Sequence, residues 1–270
     1  MIVRAPATSA NLGPGFDCAA VALDLWNELE VTPGRGVTIE GEGAGELPAD
    51  DTNLAVRAYA LLADPSRKRF RFRNRIPLER GLGSSAAAIA LGLAAAADGR
   101  PVEELIAAGL ELESHSDNLA AALLGGMTLV VDGRPFRIAG RLPLAVVAVV
   151  PRQRVSTAKS RESLPATVPR ADATATAAWA ALLGAAAAGG DADQLALALH
   201  DRLHEPYRPS EVLDSVRGDL PTGASGATLS GSGPTVIVWA HDPTACAAAL
   251  RTRFPGHDVL ELAVAPRGAL

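Results

Sequence analysis

The sequence predicts a fold that mixes strands and helices, and three stretches indicate this. Residues 70–76 alternate apolar and basic side chains, which is the pattern of a half-buried strand. Residues 84–98 are rich in alanine and predict a long helix. From 226 to 264, strand, turn and helix patterns follow one another closely. Strands and helices are therefore expected along the whole chain.

Composition is typical of a soluble globular protein, with 270 residues, 48% of them hydrophobic and 20% charged. The net charge of −5 gives no global attraction to nucleic acid or to an anionic membrane. The chain has two cysteines, Cys18 and Cys246, which lie far apart in the sequence and form neither a disulfide framework nor a zinc pattern, so a reducing cytoplasm is expected. Neither a signal peptide nor a membrane span is predicted.

The elements before residue 140 follow from local signals. Asp51 or Thr52 is the predicted N-cap of one helix, Pro101 is expected to open another, and Gly125-Gly126 to end a third. The predicted strands are 2–7, 18–32, 70–76 and 127–132, with a weak strand at 36–41, and the predicted helices are 52–63, 84–98, 101–113 and 116–124.

A second part is expected to begin near residue 140, which divides the chain into domains 1–140 and 141–270. Residues 151–169 are loop-rich, with room for one or two helical turns. The predicted strands are 143–150, 226–230, 235–240 and 258–264, and the predicted helices are 171–188, 192–204, 209–217 and 243–253.

A glycine-serine turn leads directly into the alanine-rich helix, in the sequence Arg80-Gly-Leu-Gly-Ser-Ser-Ala. Glycines allow a ligand to approach the main chain closely, and the N–H groups of a helix N-terminus attract anions. Ser84 and Ser85 add hydroxyls that can bind phosphate oxygens or a metal ion. The segment therefore predicts a triphosphate site, the alternative being a helix cap that binds nothing.

Two other nucleotide motifs fit this segment less well. The ATP/GTP P-loop requires a lysine, and none follows Gly83. The dinucleotide fingerprint fits Gly81, Gly83 and Ala86, but it should follow a fully buried parallel strand, whereas 70–76 is half exposed.

Three further loops carry polar residues, each with a structural alternative. The loop at 9–17 contains Asn11 and Asp17, which could hold a substrate with an amine and a hydroxyl or could simply cap a tight turn. Glu113, between two predicted helices, could coordinate Mg²⁺ or belong to a capping loop. The turn at 230–235 is either a plain hairpin turn or a second glycine loop that closes on the first.

Two arginines, Arg161 and Arg208, lie in polar segments and suit bidentate carboxylate recognition, although most single arginines are merely solvated.

His200 and His204 have the spacing of the two histidines in a zinc-protease helix, but no third ligand is apparent, so a metal site there is disfavoured. A nucleic-acid face would usually combine aromatics for stacking with a basic domain, and because the net charge is −5, the basic stripe at 67–75 is interpreted as a solvated strand face.

Three segments occur in one order: PATSANLGPGFD at 6–17, GLGSSAA at 81–87 and LSGSGPT at 229–235. They resemble the three motifs of the GHMP small-molecule kinases, and the first resembles the homoserine kinases rather than the galactose, mevalonate or diphosphomevalonate members. The resemblance touches most of the chain, from Val3 to Trp239.

The resemblance implies an α+β fold, with an N-terminal ATP-binding domain like ribosomal protein S5 domain 2 and a ferredoxin-like C-terminal domain. It also implies ATP and Mg²⁺, the substrate L-homoserine and the product O-phospho-L-homoserine on the route to threonine. We therefore expect a cytoplasmic enzyme that acts on a small molecule and binds neither nucleic acid nor a membrane. A homodimer is possible.

The resemblance also implies roles for individual residues. Asn118, Asp17 and Arg161 are the expected catalytic residues, Ser85 and Glu113 the expected metal ligands, and Asn53 a candidate near the nucleotide base. The expected phosphate-binding residues are Gly81, Leu82, Gly83, Ser84, Ser85 and Ala86, and the expected substrate-binding residues are Asn11, Asp17, Asn118, Thr157, Arg161 and Arg208.

Asn118 cannot accept the proton of the substrate hydroxyl, and the sequence shows no obvious catalytic base. The predicted mechanism is therefore direct in-line transfer of the phosphoryl group. Three alternatives stay open: a GHMP kinase for another small alcohol such as threonine or a sugar, a non-catalytic sensor with this fold, and a nucleic-acid module built on the basic stripe.

Overall fold

The structure, a computed structural model, describes residues 1–113, 116–155 and 157–270, with the side chains of 157–159 left out. The strands of these residues are β1 (Ile2–Asn11), β2 (Gly15–Pro33), β3 (Gly36–Gly41), β4 (Lys68–Asn74), β5 (Met127–Val131), β6 (Arg134–Ala139), β7 (Ala145–Val150), β8 (Ala224–Leu229), β9 (Val236–Ala240) and β10 (Asp258–Leu262). The helices are α1 (Leu54–Ala60), α2 (Ser84–Ala96), α3 (Val102–Gly109), α4 (Ser116–Leu124), α5 (Thr157–Glu162), α6 (Arg170–Gly189), α7 (Ala192–Leu197), α8 (Glu211–Gly218) and α9 (Pro243–Arg253), with a 3₁₀ turn at Glu205–Tyr207.

Strands β1 to β6 form one sheet in the order β3-β4-β2-β5-β6, with β1 paired to β2. The long strand β2 is its centre, because it pairs antiparallel with β1, β4 and β5. Only β3 and β4 run parallel within this set. The β1–β2 pairing places the loop between Asn11 and Gly15 at one end of the sheet, and this is the first motif loop.

Strands β7 to β10 form a second sheet in the order β10-β7-β9-β8, with all neighbours antiparallel. Apolar side chains of both sheets belong to one core, which includes Leu23 and Phe70 from the first sheet and Trp239 from the second. The C-terminal residues return to the first sheet, where the Gly126 N–H donates to the Ala265 carbonyl at 2.7 Å. The division at residue 140 stays a prediction.

Helix α2 is buried along most of its length, which explains why its sequence is apolar on all sides. It packs closely on α1, since a Cβ built on Gly92 would lie 2.1 Å from the Ala55 carbonyl oxygen. This contact fixes the direction of α2, and therefore the position of the glycine turn at its N-terminus.

Most predicted elements are present, but several of their details were wrong. The N-cap of α1 is Asn53 rather than Asp51 or Thr52, because its side chain accepts from the Ala55 N–H. The helix predicted at 192–204 ends at Leu197. Strand β6 was missed, although the Asp132-Gly133 turn before it, with positive φ at both residues, is a known hairpin signal. Strand β4 begins two residues earlier than predicted.

The basic stripe at 67–75 lies along β4, and its exposed arginines face glutamates on the neighbouring strands. Arg73 contacts Glu28 at 3.0 Å, and Arg71 lies 3.8 Å from Glu30. The charges of these two arginines are therefore balanced within their own sheet, as expected of a solvated strand face. None of the described helices is both long enough and apolar enough to cross a membrane.

Candidate active site

The glycine turn at the start of α2 requires its glycines. Gly81 and Gly83 have φ values of 76° and 65°, and Gly83 is the N-cap of α2. A Cβ on Gly81 would lie 2.5 Å from the Ser230 carbonyl oxygen and 2.7 Å from that of Gly233. Backbone from a distant part of the chain thus contacts this turn directly.

The turn at 230–235 is both a hairpin turn and a second glycine loop that contacts the first. It joins the antiparallel strands β8 and β9. It also closes on the first glycine turn, because the Ser230 hydroxyl donates to the Gly81 carbonyl at 2.6 Å.

A cavity of about 330 Å³ opens beside these turns. Its lining gathers residues from widely separated parts of the sequence. Predicted site residues in this lining are Asn11, Asp17, Gly81, Gly83, Ser84, Ser85, Ala86, Glu113, Asn118, Arg161 and Arg208. Leu82 and Asn53 are not part of this lining, because Leu82 is buried in the core and Asn53 lines a neighbouring cavity. The Thr157 side chain, like the whole of Ser114, His115 and Ser156, is outside the described residues.

A second cavity of about 300 Å³ meets the first at the glycine turn, because Glu79, Ser84 and Ser85 line both. Its wall is mainly apolar, with side chains that include Phe72 and Leu91. Asn53 also lines it, but its side chain is already engaged by the Ala55 N–H and the Pro48 carbonyl. The pair of cavities is therefore polar on one side of the glycine turn and largely apolar on the other.

The first motif loop is held in place by Asn11. Its side-chain oxygen accepts from the Asp17 N–H, and its amide nitrogen donates to the Gly231 carbonyl, both at 3.0 Å. Asn11 and Asp17 have positive φ values of 73° and 56°, conformations that asparagine and aspartate tolerate better than most residues. The Asp17 carboxylate is thus aimed into the cavity, where it meets Arg161 in a bidentate pair with both N···O distances at 2.9 Å.

Arg208 lies beside this pair but is far more buried, with 6% of its surface exposed. Its Nη1 donates to His204 Nδ1 at 3.1 Å and to the Gly231 carbonyl at 3.2 Å, and its guanidinium lies over the Phe16 ring. Burial lowers the pKa of Arg208, and the charge of Arg161 lowers it further, while Asp17 acts in the opposite direction. Arg161 and Arg208 therefore bring two guanidinium groups to the same cavity, where they can bind an anion.

Asn118, at the start of α4, is oriented by Thr8 of β1. The Thr8 hydroxyl donates to the Asn118 side-chain oxygen at 2.6 Å. The acceptor atom of the amide is therefore engaged, and its NH₂ group is the part that can donate to a ligand oxygen. The same hydroxyl packs against the glycine turn, because a Cβ on Gly83 would lie 1.9 Å from Thr8 Oγ1.

Ser85 and Glu113 line the same cavity and offer a hydroxyl and a carboxylate oxygen. Hard oxygen donors of this kind are those that Mg²⁺ prefers, in combination with phosphate oxygens and water. The residues present therefore fit Mg²⁺ with a bound nucleotide.

The comparisons with known proteins agree with one another. Residues 53–126 match the family model for the GHMP kinases N terminal domain. A homoserine kinase from Gloeobacter violaceus is 42% identical, with 93% of this chain and 90% of the relative covered. One from Moorella thermoacetica is 38% identical over 100% of this chain and 99% of the relative. The chain belongs to the homoserine kinase family.

Solved structures extend the similarity to the fold. The crystal structure of a homoserine kinase from Cytophaga hutchinsonii has a TM-score of 0.83 at 25% identity, with 99% of this chain and 96% of that one covered. A mevalonate kinase from L. major, at 19% identity and a TM-score of 0.72, shares the fold alone. The α+β GHMP kinase fold implied by the motifs is confirmed.

Against this family background, sequence reasoning missed several residues of the cavity. Glu79, Asp117 and Ser232 line it, and Thr8 orients Asn118. Thr8 and Ser232 are within the quoted motifs, so their position was a usable signal. Asp117 was not predicted as a site residue, although it is a buried carboxylate with 3% of its surface exposed.

The zinc-like spacing of His200 and His204 has another explanation in this member of the homoserine kinase family. Since α7 ends at Leu197, the two histidines do not share a helix. His200 is exposed and contacts Trp179, whereas His204 is fully buried against Phe16. No cluster of three metal-binding side chains is present among the described residues.

Proposed function

We propose that this protein transfers the γ-phosphoryl group of ATP to the side-chain hydroxyl of L-homoserine and releases ADP and O-phospho-L-homoserine. One observation carries the proposal most directly: a polar cavity and a largely apolar cavity meet at a glycine turn that opens a helix. A nucleotide base suits the apolar cavity, a small amino acid suits the polar one, and the phosphates would lie at the turn between them.

The polar cavity matches the charges of an α-amino acid. Arg161 and Arg208 would bind the α-carboxylate, and Asp17 would bind the α-ammonium group. Because Arg161 is paired with Asp17 in the structure, the substrate carboxylate would take over part of that contact. Asn11 acts by fixing the loop that carries Asp17.

The phosphates would be bound by the main chain from Gly81 to Ala86 together with the Ser84 and Ser85 hydroxyls. Ser85 and Glu113 would hold Mg²⁺, which neutralises phosphate charge when it is bound. Glycine-turn N–H groups would stabilise the charge that shifts toward the leaving phosphate.

Transfer is proposed to proceed without a catalytic base. Asn118 presents an NH₂ group and would orient the substrate hydroxyl by donating to its oxygen. Asp17 is the competing candidate base, but its carboxylate is already assigned to Arg161 and to the substrate α-ammonium group. A loose transition state leaves little need to remove the hydroxyl proton early, so the proton can pass to the transferred phosphoryl group.

Asp17→Asn separates these two mechanisms. Loss of the carboxylate should raise KM for L-homoserine, because the ammonium partner is lost, with a smaller effect on kcat. A fall in kcat by more than about a thousandfold at saturating L-homoserine would instead identify Asp17 as the base.

The proposed activity is tested by ADP release with ATP and Mg²⁺, using L-homoserine, L-threonine, L-serine, mevalonate and galactose as acceptors. The highest kcat/KM is expected with L-homoserine. Faster turnover of another alcohol would overturn the substrate, and ATP binding without turnover of any acceptor would favour a sensor.

A further inference from the structure

His204 is buried between the first motif loop and the Arg208 side chain. Its exposed fraction is 0%, and its ring stacks on Phe16 with a centroid distance of 5.1 Å. Its Nε2 lies 2.9 Å from the Gly13 carbonyl oxygen, and its Nδ1 lies 3.1 Å from Arg208 Nη1. One imidazole therefore joins two segments that are almost two hundred residues apart in sequence.

The chemistry of these two contacts fixes the protonation of the ring. A guanidinium group can only donate hydrogen bonds, so Nδ1 must be the acceptor. The Gly13 carbonyl can only accept, so Nε2 must carry the hydrogen. The neutral Nε2–H form is the one that satisfies both contacts, and burial accordingly lowers the pKa of His204, while Asp201 and Glu205 oppose that shift and the contacting Arg208 adds to it.

The contact with His204 also decides which part of Arg208 is left for a ligand. Nη1 carries two hydrogens, and these match two acceptors, His204 Nδ1 and the Gly231 carbonyl. Nη2 has no hydrogen-bond partner within the described part of the chain. The Arg208 Nε–H is buried and likewise has no partner there. The two Nη1 contacts hold the guanidinium in one orientation over Phe16, and Arg208 lines the cavity.

We infer that His204 is a positioning residue, which acts through Arg208 to pre-orient the carboxylate-binding site for the amino-acid substrate. The inference rests on the proposed function. A freely rotating arginine would lose side-chain entropy when it binds a carboxylate, and a fixed acceptor reduces that loss before the substrate arrives. The anchor on Gly13 relates Arg208 to the loop that carries Asp17, so the α-carboxylate and the α-ammonium group of the substrate would be recognised at a set separation.

Two substitutions separate the contacts of the ring. In H204N, the side-chain oxygen can take the place of Nδ1 and accept from Arg208, but the reach to Gly13 is lost. In H204Q, the side-chain nitrogen can take the place of Nε2 and donate to Gly13, but the acceptor for Arg208 is lost. H200Q is the matched control, because His200 is exposed and does not line the cavity.

H204Q is expected to raise KM for L-homoserine by about tenfold, since a hydrogen bond to a charged group is lost. KM for ATP should be unchanged, and H204N should retain a near-normal KM for L-homoserine despite a lower Tm. In an Arg208→Ala background, H204Q should have no further effect on KM for L-homoserine.

Wild-type turnover of L-homoserine is measured first, so failure of the proposed function is seen separately. Given that turnover, a normal KM for L-homoserine in H204Q would overturn the positioning role, as would equal changes in KM for both substrates. If H204Q does not fold, H204N and H204A are compared instead. Both variants lack the contact with Gly13, but only H204A also lacks the acceptor for Arg208. Equal KM values in that pair would also overturn the inference.

Discussion

Replacement of Gly83 by alanine tests whether the glycine turn, Thr8 and Asn118 form one rigid unit. The added Cβ would lie 1.9 Å from Thr8 Oγ1 and 3.2 Å from the Asn118 side-chain oxygen. The turn cannot simply move away, because the Thr8 N–H donates to the Leu82 carbonyl at 3.1 Å. Thr8 must therefore rotate, and its hydrogen bond to Asn118 is lost.

The cost has two parts. Alanine at a φ of 65° costs about 1 kcal/mol, and the lost hydrogen bond costs about 1 kcal/mol more. With residual crowding, a loss of about 2–3 kcal/mol in the free energy of unfolding is expected, which corresponds to a fall in Tm of about 5–10 °C. Displacement of Asn118 should also lower kcat/KM by about a hundredfold.

Gly190→Ala is a closely matched control. Gly190 has φ 69° and ψ 29°, against 65° and 31° for Gly83, and no heavy atom lies within 4 Å of its added Cβ. Only the backbone cost of about 1 kcal/mol remains, so Tm should fall by about 2–4 °C with activity intact. Thr8→Ala should partly rescue the Gly83→Ala variant. Equal Tm and equal activity for the Gly83→Ala and Gly190→Ala variants would refute the reasoning.

Three further outcomes are expected. Arg161→Lys should raise KM for L-homoserine by about tenfold in steady-state kinetics, because lysine cannot bind a carboxylate in bidentate fashion. KM for ATP should be unchanged, and equal shifts in both KM values would contradict this prediction. Burial lowers the pKa of His204, so below about pH 6.5 the unfolded chain binds a proton that the folded protein does not. The free energy of unfolding of the wild type, measured by denaturant titration, should therefore fall as the pH drops below about 6.5. The H204N variant should lack this pH dependence. Gly92→Ala should lower Tm, because the added Cβ would push α1 away from α2. Gly184→Ala should not lower Tm, because its added Cβ meets no heavy atom within 4 Å. A normal Tm for both variants would contradict the packing argument.

Local signals were enough to predict much of the fold. The alternation at 70–76 correctly indicated a half-exposed strand, because the period of side chains in a strand is a property of the local backbone. The glycines at 81 and 83 correctly indicated a turn before a helix, because positive φ is a single-residue requirement. Strand β6 was missed since it is short and contains a proline and two arginines, and its pairing with β5 at the sheet edge defines it.

The sequence by itself determined the motifs, their order and hence the family, and also which residue types were available for phosphate and carboxylate binding. Tertiary structure alone decided that Arg161 pairs with Asp17 in the open cavity while Arg208 is buried against His204. The pattern of His200 and His204 suggested a metal site, and only the end of α7 and the contact with Gly13 show a different role. The physical reason is distance along the chain: periodicity and turn preferences act over a few residues, whereas contacts between residues 13 and 204 exist only after both sheets have packed on a common core.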